Sequence, residues 1–393
     1  MSHLQEAGNV AAQEGGLPPL EVRGVDVSSL VEVEGLGAAF YTDQERTDLM
    51  SFMAAQGVNL VRLRLWVDPR DEAGDGYLGG GNDLSTDLEL ARRAVECGMD
   101  VMIDLHYSDF WTDPKKQQPP KAWSGYSLDE MTSVVRRYTR EVLGAFVEVG
   151  IQPRRVQVGN EITNGMLWPV GALPRHDNRL RVRPGATRQE EGEAFDALAQ
   201  LLRAGTKVVR EALPGARVSI HLDYGGDTAL YQQWLDPMSA RGLDIDEVGI
   251  SYYPYWHGTL DDLSATMDHI VRRYGYDVIV LETAYGASVR NDGPATIFSE
   301  ELADHGGFAP TPAGQYQYLT ELRRRVAAVA GGKGRGFVYW EPAWLAVPGT
   351  SWASEAGMRY GSDIAPGGPS WANQALFDSH GHALPAWQAF QQS

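Results

Sequence analysis

The apolar residues of the chain concentrate in eight short runs that are rich in valine, isoleucine, leucine and aromatic residues. Short runs of this composition, followed by turn-forming or polar residues, are typical of buried β-strands. The eight runs are Arg23–Leu30, Val58–Val67, Asp100–Tyr107, Arg155–Glu161, Arg217–Asp223, Glu247–Trp256, Asp277–Tyr285 and Gly336–Trp344.

Longer amphipathic segments separate most of these runs. Apolar residues recur in them at three- and four-residue spacing, and a glycine often follows, as expected of a helix that buries one face. The clearest segments are Leu84–Gly98, Ser133–Gly150, Ala194–Leu213 and Gly314–Gly332. Two stretches, residues 176–193 and 286–312, are predicted to be long loops.

Strand and helix alternating in this way predict an α/β fold, a single (β/α)8 TIM barrel with long βα loops. A spacing of roughly 40 residues per unit suits that fold. A doubly wound open sheet is the alternative architecture, but the first run is not followed by a glycine-rich phosphate-binding loop. We assign residues 1–20 to a disordered leader and residues 21–393 to the catalytic barrel.

Charge and composition narrow the possible partners. The net charge of −18 argues against nucleic acid or an anionic membrane surface, and it is compatible with a neutral ligand. No apolar stretch is long enough for a transmembrane helix, and the N-terminal residues do not resemble a signal peptide. We therefore expect either an intracellular protein or a secreted one that has lost its signal.

We also expect a monomer. The single cysteine, Cys97, is predicted to be a small buried residue at a helix end.

The ends of the eight runs predict where the chemistry takes place. In a (β/α)8 barrel the active site forms at the carboxyl ends of the strands, so the residues that close the runs are expected to line a pocket. These residues are acids, an amide, histidines, arginines and large aromatics: Asp26, Arg62, Arg64, Trp66, Asp104, His106, Asn160, Glu161, His221, Asp223, Tyr253, Trp256, Glu282, Trp340 and Glu341.

Two glutamates have positions that indicate a reaction. Glu161 ends the fourth run and Glu282 ends the seventh, so they are expected on opposite walls of the barrel mouth. Two carboxyl groups that face one cleft are what glycoside hydrolysis requires, one as acid and one as nucleophile or base. Arg62 and Arg64 lie two residues apart on one strand face and can keep one carboxylate ionised. Alternatively, Glu161 only caps the helix that follows it.

Aromatic residues at the run ends fit a carbohydrate, because their rings stack on the apolar faces of sugars. Neighbouring strand residues point to opposite faces, so Tyr252 and Tyr253 cannot both face the cleft. The full set is Tyr252, Tyr253, Tyr255, Trp256, Trp340, Trp344 and Trp352.

A divalent cation is a second interpretation of the third run and the loop after it, where Asp104, His106, Asp109 and Asp113 offer ligand atoms. The histidine has no partner His or Cys at metal spacing, so we predict no metal ligands. Contacts with sugar hydroxyls explain Asp104 and His106 more simply. His221 is assigned to the pocket wall together with Asp223, since no serine or cysteine nucleophile motif accompanies it.

The chain resembles the family 53 glycoside hydrolases, the endo-β-1,4-galactanases, in several long blocks: GVDVSSL, VRLRLWVDP, DLHYSDFWTDPKKQQPPKAW, VQVGNEITNGMLWP, IHLDYGGD, SYYPYWHGTL, ETAY and YWEPAWL. The resemblance extends over almost the whole chain from Arg23 onward. It implies a (β/α)8 barrel, a retaining mechanism, and β-1,4-galactan as the substrate, such as the side chains of type I arabinogalactan in pectin.

The resemblance also implies roles for individual residues. Glu161 in GNE corresponds to the general acid/base, and Glu282 in ETAY corresponds to the nucleophile. Asn160 would hold the 2-hydroxyl of the sugar next to the cleaved bond, and either Arg62 or Arg64 would orient the nucleophile. The stacking platform of the family matches Trp340 and Trp344.

No cofactor is required by this chemistry. Some bacterial members of the family bind calcium through the loops after the last strands, but residues 286–307 do not match their acidic pattern. A structural calcium is therefore not supported, although Asp292, Glu300 and Asp304 offer oxygens. The remaining alternatives are the same chemistry on mannan, xylan or glucan, a non-catalytic carbohydrate-binding barrel, and a metal-dependent hydrolase.

Overall fold

Eight parallel strands close into a barrel, in which each strand pairs with its neighbours in chain order and the last pairs with the first. The computed structural model describes residues 17–42, 44–174 and 186–392. The predicted (β/α)8 fold is confirmed. The barrel strands are β1 Val22–Asp26, β2 Leu60–Leu65, β3 Asp100–Leu105, β4 Arg155–Val158, β5 Arg217–Leu222, β6 Glu247–Ser251, β7 Asp277–Thr283 and β8 Gly334–Trp340.

The α-helices of the described residues lie between and after these strands. They are α1 Leu30–Gly35, α2 Leu49–Ala55, α3 Leu84–Glu96, α4 Leu128–Glu148, α5 Arg188–Ala212, α6 Thr228–Ser239, α7 Leu260–Tyr274, α8 Glu300–Gly306, α9 Pro312–Ala327 and α10 Glu355–Gly361. Two short antiparallel ribbons pair Phe40–Thr42 with Glu45–Thr47 and Gly165–Met166 with Gly171–Ala172. Cys97 follows the end of α3, as predicted, but it is half-buried rather than buried.

Successive side chains of each strand point alternately into the barrel and outward toward the helices, so every second residue fills the inside of the barrel. Along β2, Val61 and Leu63 face outward into the large core under the helices. Leu60 faces inward and belongs to a small apolar cluster inside the barrel. Arg62 and Arg64 follow on the same inward face, so the barrel interior changes from apolar to charged toward the carboxyl ends of the strands.

Two predicted loops contain helical residues. Helix α5 begins at Arg188, six residues before the predicted start, because Thr187 and Glu190 form a capping box ahead of the first apolar position. Helix α8 lies inside the predicted loop of residues 286–312, where the Ser299 hydroxyl accepts a hydrogen bond from the Leu302 amide. Polar caps carry no hydrophobic periodicity, so apolar spacing alone missed both starts.

The packed part of the chain begins before residue 21. Of the predicted leader, residues 1–16 lie outside the described residues. Leu20 is buried, and the carbonyl of Pro18 accepts a hydrogen bond from the Arg323 guanidinium in α9. Within the described ranges, no helix has the length and apolar character needed to cross a membrane.

Candidate active site

A cleft of about 690 Å³ opens at the carboxyl ends of the strands. Both glutamates singled out from the sequence line it. Of the other predicted site residues, the cleft is lined by Arg62, Arg64, His106, Asn160, Asp223, Tyr253, Trp256, Trp340 and Trp344. Asp104 and His221 are fully buried and lie behind this lining.

Glu282 sits near the end of β7 and is 8% exposed. Its carboxylate lies 3.0 Å from the guanidinium of Arg62 and accepts a hydrogen bond of 3.2 Å from the hydroxyl of Tyr253. Burial raises the pKa of Glu282 to about 7, and the positive charge of Arg62 opposes that rise. A carboxylate with a cation beside it is stabilised in the ionised form that a nucleophile needs.

Arg62 is held in place by buried partners from several strands. Its guanidinium lies 2.9 Å from Asp26 and 2.8 Å from Asp104, and it donates 3.0 Å to the side chain of Gln157. Burial alone would lower the pKa of Arg62, but the charges of Asp104, Glu282 and Asp26 raise it, so the guanidinium keeps its proton. Arg62 is therefore a fixed positive charge beside Glu282.

Arg64 points to a different set of partners. Its guanidinium pairs with Glu341 after β8 and donates 2.6 Å to the carbonyl of Gly79. It also lies 4.3 Å from the ring centroid of Trp111. Of the two arginines that the sequence left open, Arg62 is the one that contacts Glu282.

Glu161 follows the end of β4 by three residues and adopts a left-handed backbone conformation, with φ 46° and ψ 49°. The predicted fourth run extended to Glu161, whereas the strand ends at Val158 because Gly159 has φ 82°. The carboxylate accepts a hydrogen bond of 2.6 Å from the hydroxyl of Ser251 at the end of β6. It makes no capping bond to the short 3-10 turn Ile162–Asn164 that follows, so the capping alternative is wrong.

The two glutamates differ in the charges around them. Burial raises the pKa of Glu161 well above its usual value, and the carboxylates of Glu282 and Asp223 raise it further. The hydrogen bond from Ser251 opposes this rise. When one proton is shared between the two glutamates, Glu161 holds it, because Arg62 stabilises the negative charge on Glu282.

Asn160 links the surroundings of the two acids. It contacts Arg62, which lies beside Glu282, and His221, which contacts Ser251 beside Glu161. Its side-chain oxygen accepts from Arg62 at 3.0 Å and lies 2.8 Å from a ring nitrogen of His221, while its amide donates to the carbonyl of Thr112. Because these contacts fix the orientation of the amide, Asn160 presents a defined polar group to the cleft that it lines.

His221 and Asp104 were predicted to contact substrate, and the structure places both beneath the cleft surface. The ring of His221 lies 2.9 Å from the hydroxyl of Ser251, and burial followed by the charge of Arg62 lowers the pKa of His221 well below its usual value. Asp104 pairs with Arg62 and lies 3.0 Å from His106. Both residues are fully buried and contact groups that line the cleft, so their predicted contact with substrate stays a prediction.

Asp223, at the end of β5, is a third acid of the cleft. It accepts a hydrogen bond from the hydroxyl of Thr163, and that hydroxyl accepts 3.2 Å from the Asp223 amide. Burial raises the pKa of Asp223 well above its usual value. The bond with Thr163 ties the 3-10 turn after Glu161 to the end of β5.

The aromatic lining differs in part from the prediction. Trp256 is 43% exposed and Trp340 is half-buried, so both present ring surface to the cleft. Trp344 is 0% exposed and packs behind Trp340 and Trp111, with ring centroids 5.8 and 6.4 Å away. The assignment of Trp344 to the stacking platform stays a prediction, because Trp344 borders the cleft while its ring is buried against Trp340 and Trp111.

Several residues of the site were not predicted. Trp111 and Trp371 also line the cleft, together with Trp352, which was in the predicted aromatic set. Trp111 belongs to the segment DLHYSDFWTDP, whose aromatic residues follow the third strand and could have been assigned to the cleft. Ser251 and Gln157 have no signal in the sequence pattern, because single polar residues at strand ends are common.

The absence of a bound cation stays a prediction, although Asp109 already has other partners. Asp109 is engaged by the backbone amide of Lys121 at 2.8 Å and by its ammonium group at 3.0 Å. In the part of the chain that the structure describes, no three His, Cys, Asp or Glu side chains come together as metal ligands. Of the three acids considered for calcium, Asp292 is paired with Arg290 at 2.6 Å, and Glu300 and Asp304 are exposed.

The sequence pattern of glycosyl hydrolase family 53 matches residues 22–390. An endo-β-1,4-galactanase of Bacillus subtilis (strain 168) is 34% identical over 94% of this chain and 85% of its own length. A probable arabinogalactan endo-β-1,4-galactanase A of Aspergillus terreus is 36% identical over 83% of this chain and 86% of its own. The GH53 catalytic domain of Ignisphaera aggregans superimposes with a TM-score of 0.85 at 35% identity, covering 96% of this chain and 97% of that domain. With this match and the barrel and cleft described above, the chain belongs to glycoside hydrolase family 53.

Proposed function

We propose that this protein is a retaining endo-glycosidase that hydrolyses β-1,4-galactosidic bonds in galactan and in the type I arabinogalactan side chains of pectin. The names of its relatives support the substrate class. The observation that carries the proposal is the pair of carboxyl groups in one cleft, Glu161 and Glu282, of which, within the described part of the chain, Glu282 alone has a fixed cation beside it. That asymmetry separates an acid from a nucleophile.

The reaction proceeds in two displacements. Glu161 donates its proton to the glycosidic oxygen while the carboxylate of Glu282 attacks the anomeric carbon and the leaving chain departs. Glu161, now ionised, takes a proton from water, and that water releases the sugar from Glu282 with the original configuration. Neither step needs a cofactor.

The residues around the two acids support these steps. Arg62 keeps Glu282 ionised before attack, and the Tyr253 hydroxyl fixes one of its oxygens. In this proposal Asn160, which lines the cleft, holds the 2-hydroxyl of the sugar that is attacked. Trp340 and Trp256 offer ring faces to neighbouring sugars, because their aromatic surface is exposed in the cleft.

Product analysis on linear β-1,4-galactan tests the substrate and the stereochemistry together. We expect oligosaccharides released from internal bonds, with the β-anomer formed first in an NMR time course. Release of reducing sugar from mannan, xylan or glucan in place of galactan would contradict the galactan assignment. Loss of activity in a chelator would favour the metal-dependent alternative.

Replacing Glu282 by glutamine is expected to abolish hydrolysis and leave galactan binding intact, because the amide has similar shape but cannot attack the anomeric carbon. Turnover and oligosaccharide affinity, the latter by calorimetry, are the two measurements. Glu355→Gln, at an exposed glutamate of α10, is the matched control and should keep full activity. Appreciable turnover by the Glu282 variant would remove it from the role of nucleophile, and full activity would favour a different catalytic site.

Replacing Glu161 by alanine is expected to affect substrates according to their leaving group. Galactan, whose leaving group is a sugar alkoxide, should lose about 10²–10⁴-fold in kcat/KM because general acid catalysis is lost. An aryl β-galactoside with an activated leaving group should lose far less, since it departs without a proton. Equal losses on both substrates would contradict the acid role.

A further inference from the structure

The backbone at Glu161 is held in a conformation that non-glycine residues seldom adopt. Glu161 has φ 46° and ψ 49°, and it lies between two glycines of positive φ, Gly159 and Gly165. A left-handed residue of this kind persists only where its surroundings fix the peptide groups on both sides. The direction of the carboxyl group depends on that backbone, so the contacts that fix it matter for the reaction.

The side chain of Gln117, in the loop after β3, makes those contacts. Its amide nitrogen lies 2.8 Å from the carbonyl oxygen of Asn160 and 3.3 Å from that of Glu161, which belong to the peptide groups before and after the Glu161 Cα. The same nitrogen lies 3.2 Å from the carbonyl of Asp113, so its two hydrogens are shared among three acceptors. Gln117 is 1% exposed, and a buried amide in this position keeps its bonds.

Other bonds join the same two loops without touching Glu161. The side chain of Asn164 donates 2.8 Å to the carbonyl of Pro114, and the amide of Trp168 donates 2.8 Å to the carbonyl of Gln117. These bonds fix the distance between the loops, and the Gln117 side chain fixes the peptide groups of the acid. Gln117 is not among the residues that line the cleft, so it has no contact of its own with a substrate there.

We propose that Gln117 is a positioning residue for the general acid/base, holding the left-handed backbone of Glu161 so that the carboxyl group meets the glycosidic oxygen. This inference rests on the proposed function, in which Glu161 carries the proton. If the carboxyl group of Glu161 is misplaced, cleavage should slow most for substrates whose leaving group must be protonated. The effect of losing Gln117 should therefore follow the leaving group of the substrate.

The test replaces Gln117 by methionine, which keeps the length of the side chain and removes the donor. Galactan turnover is expected to fall by up to about 100-fold in kcat/KM, because small displacements of a catalytic group have effects of that order. An aryl β-galactoside with an activated leaving group should change little. Gln118→Met is the matched control, since the neighbouring side chain donates at 3.4 Å to the carbonyl of Gly361 at the end of α10, and it should match the unmodified protein on both substrates.

Two further measurements separate positioning from a general structural role. Azide needs no general base, so it should accelerate turnover of the aryl substrate by the Gln117→Met variant, as it should for Glu161→Ala. In the Glu161→Ala background, adding Gln117→Met should leave galactan turnover unchanged, because no acid remains to be positioned.

Equal losses on both substrates, or an additional loss in the double variant, would overturn the proposal. Failure of both Gln117→Met and Gln117→Ala to fold would also overturn it, in favour of a purely structural role. A different result would contradict the proposed function: the unmodified protein would not hydrolyse galactan. The comparison of leaving groups would then use the polymer that the protein does hydrolyse.

Discussion

A proton shared by two buried carboxyl groups resides on the group that has no cation beside it. Among the residues that the structure describes, Glu161 has no ion pair, whereas Glu282 has the guanidinium of Arg62 at 3.0 Å. Activity requires Glu161 protonated and Glu282 ionised. It therefore falls as the pH drops through the pKa of Glu282, about 7, and falls again as the pH rises through the raised pKa of Glu161.

Ser251 offers a direct test of that assignment. Its hydroxyl donates 2.6 Å to the carboxylate of Glu161, which lowers the pKa of Glu161 by stabilising the ionised form. In Ser251→Ala the pKa of Glu161 should rise, so the alkaline limb of the profile of kcat/KM against pH should move to higher pH while the acid limb stays. Ser264→Ala in α7, where the hydroxyl only bonds the Leu260 carbonyl, should move neither limb. A shift of the acid limb alone would contradict the assignment of the proton to Glu161.

Helix α5 packs against β4, the strand that leads to Glu161. It packs against β4 at Gly205, where an added Cβ would lie 2.8 Å from a methyl group of Val158 and 2.8 Å from the hydroxyl of Tyr107. Distances this short require the neighbours to move. The close approach of helix and strand at this point therefore depends on the absence of a side chain.

Two glycine substitutions in α5 should have opposite effects on stability. Gly192→Ala should raise the free energy of unfolding by about 0.5–1 kcal/mol, because its Cβ meets only the end of the Arg241 side chain at 4.0 Å and alanine favours helix. Gly205→Ala should lower it by about 1–3 kcal/mol through overpacking. Denaturant unfolding of both variants measures the difference. Stabilisation by both would show that the contact at Gly205 relaxes without strain.

At the scale of the whole molecule, the negative net charge of the chain contrasts with the cleft, where charged groups neutralise each other. The chain carries a net charge of −18, while the cationic groups of Arg62 and Arg64 are buried at the cleft among carboxylates that neutralise them. A neutral polysaccharide is unaffected by the overall negative field, whereas an acidic polymer is repelled by it.

Salt should therefore affect two substrates differently. The KM for linear galactan should be nearly constant from about 0.01 M to about 1 M salt, a range over which the screening length falls from roughly 30 Å to about 3 Å. The KM for galactan attached to an acidic pectin backbone should decrease with added salt, because screening weakens the repulsion. A strong salt dependence with the neutral substrate would contradict this account.

The order of strands and helices was accessible from the sequence, because periodicity is a property of neighbouring residues. The placement of Glu161 and Glu282 at the ends of the fourth and seventh strands follows from that order and from the geometry of a closed parallel barrel. Helix starts were less accessible. Arg188 and Glu300 open helices whose first turns are polar and depend on caps.

The depth of a side chain in the barrel was not accessible from the sequence. Asp104, His221 and Trp344 lie on the expected strands or strand ends, but each is covered by neighbours from other strands and loops. Whether a polar residue contacts a ligand or supports one that does depends on these long-range neighbours. The pattern of apolar and polar residues along one sequence does not show which residues from other strands and loops cover a side chain.

The sequence by itself thus determined the barrel, its strand order and the pair of acids, since each follows from local periodicity and from rules of barrel geometry. Only the tertiary structure decided that Arg62 rather than Arg64 contacts Glu282 and that Gln117 bonds the peptide groups around Glu161. It also decided the left-handed backbone of Glu161. These features depend on hydrogen bonds between residues distant in sequence, which form only when the folded chain brings them to within about 3 Å.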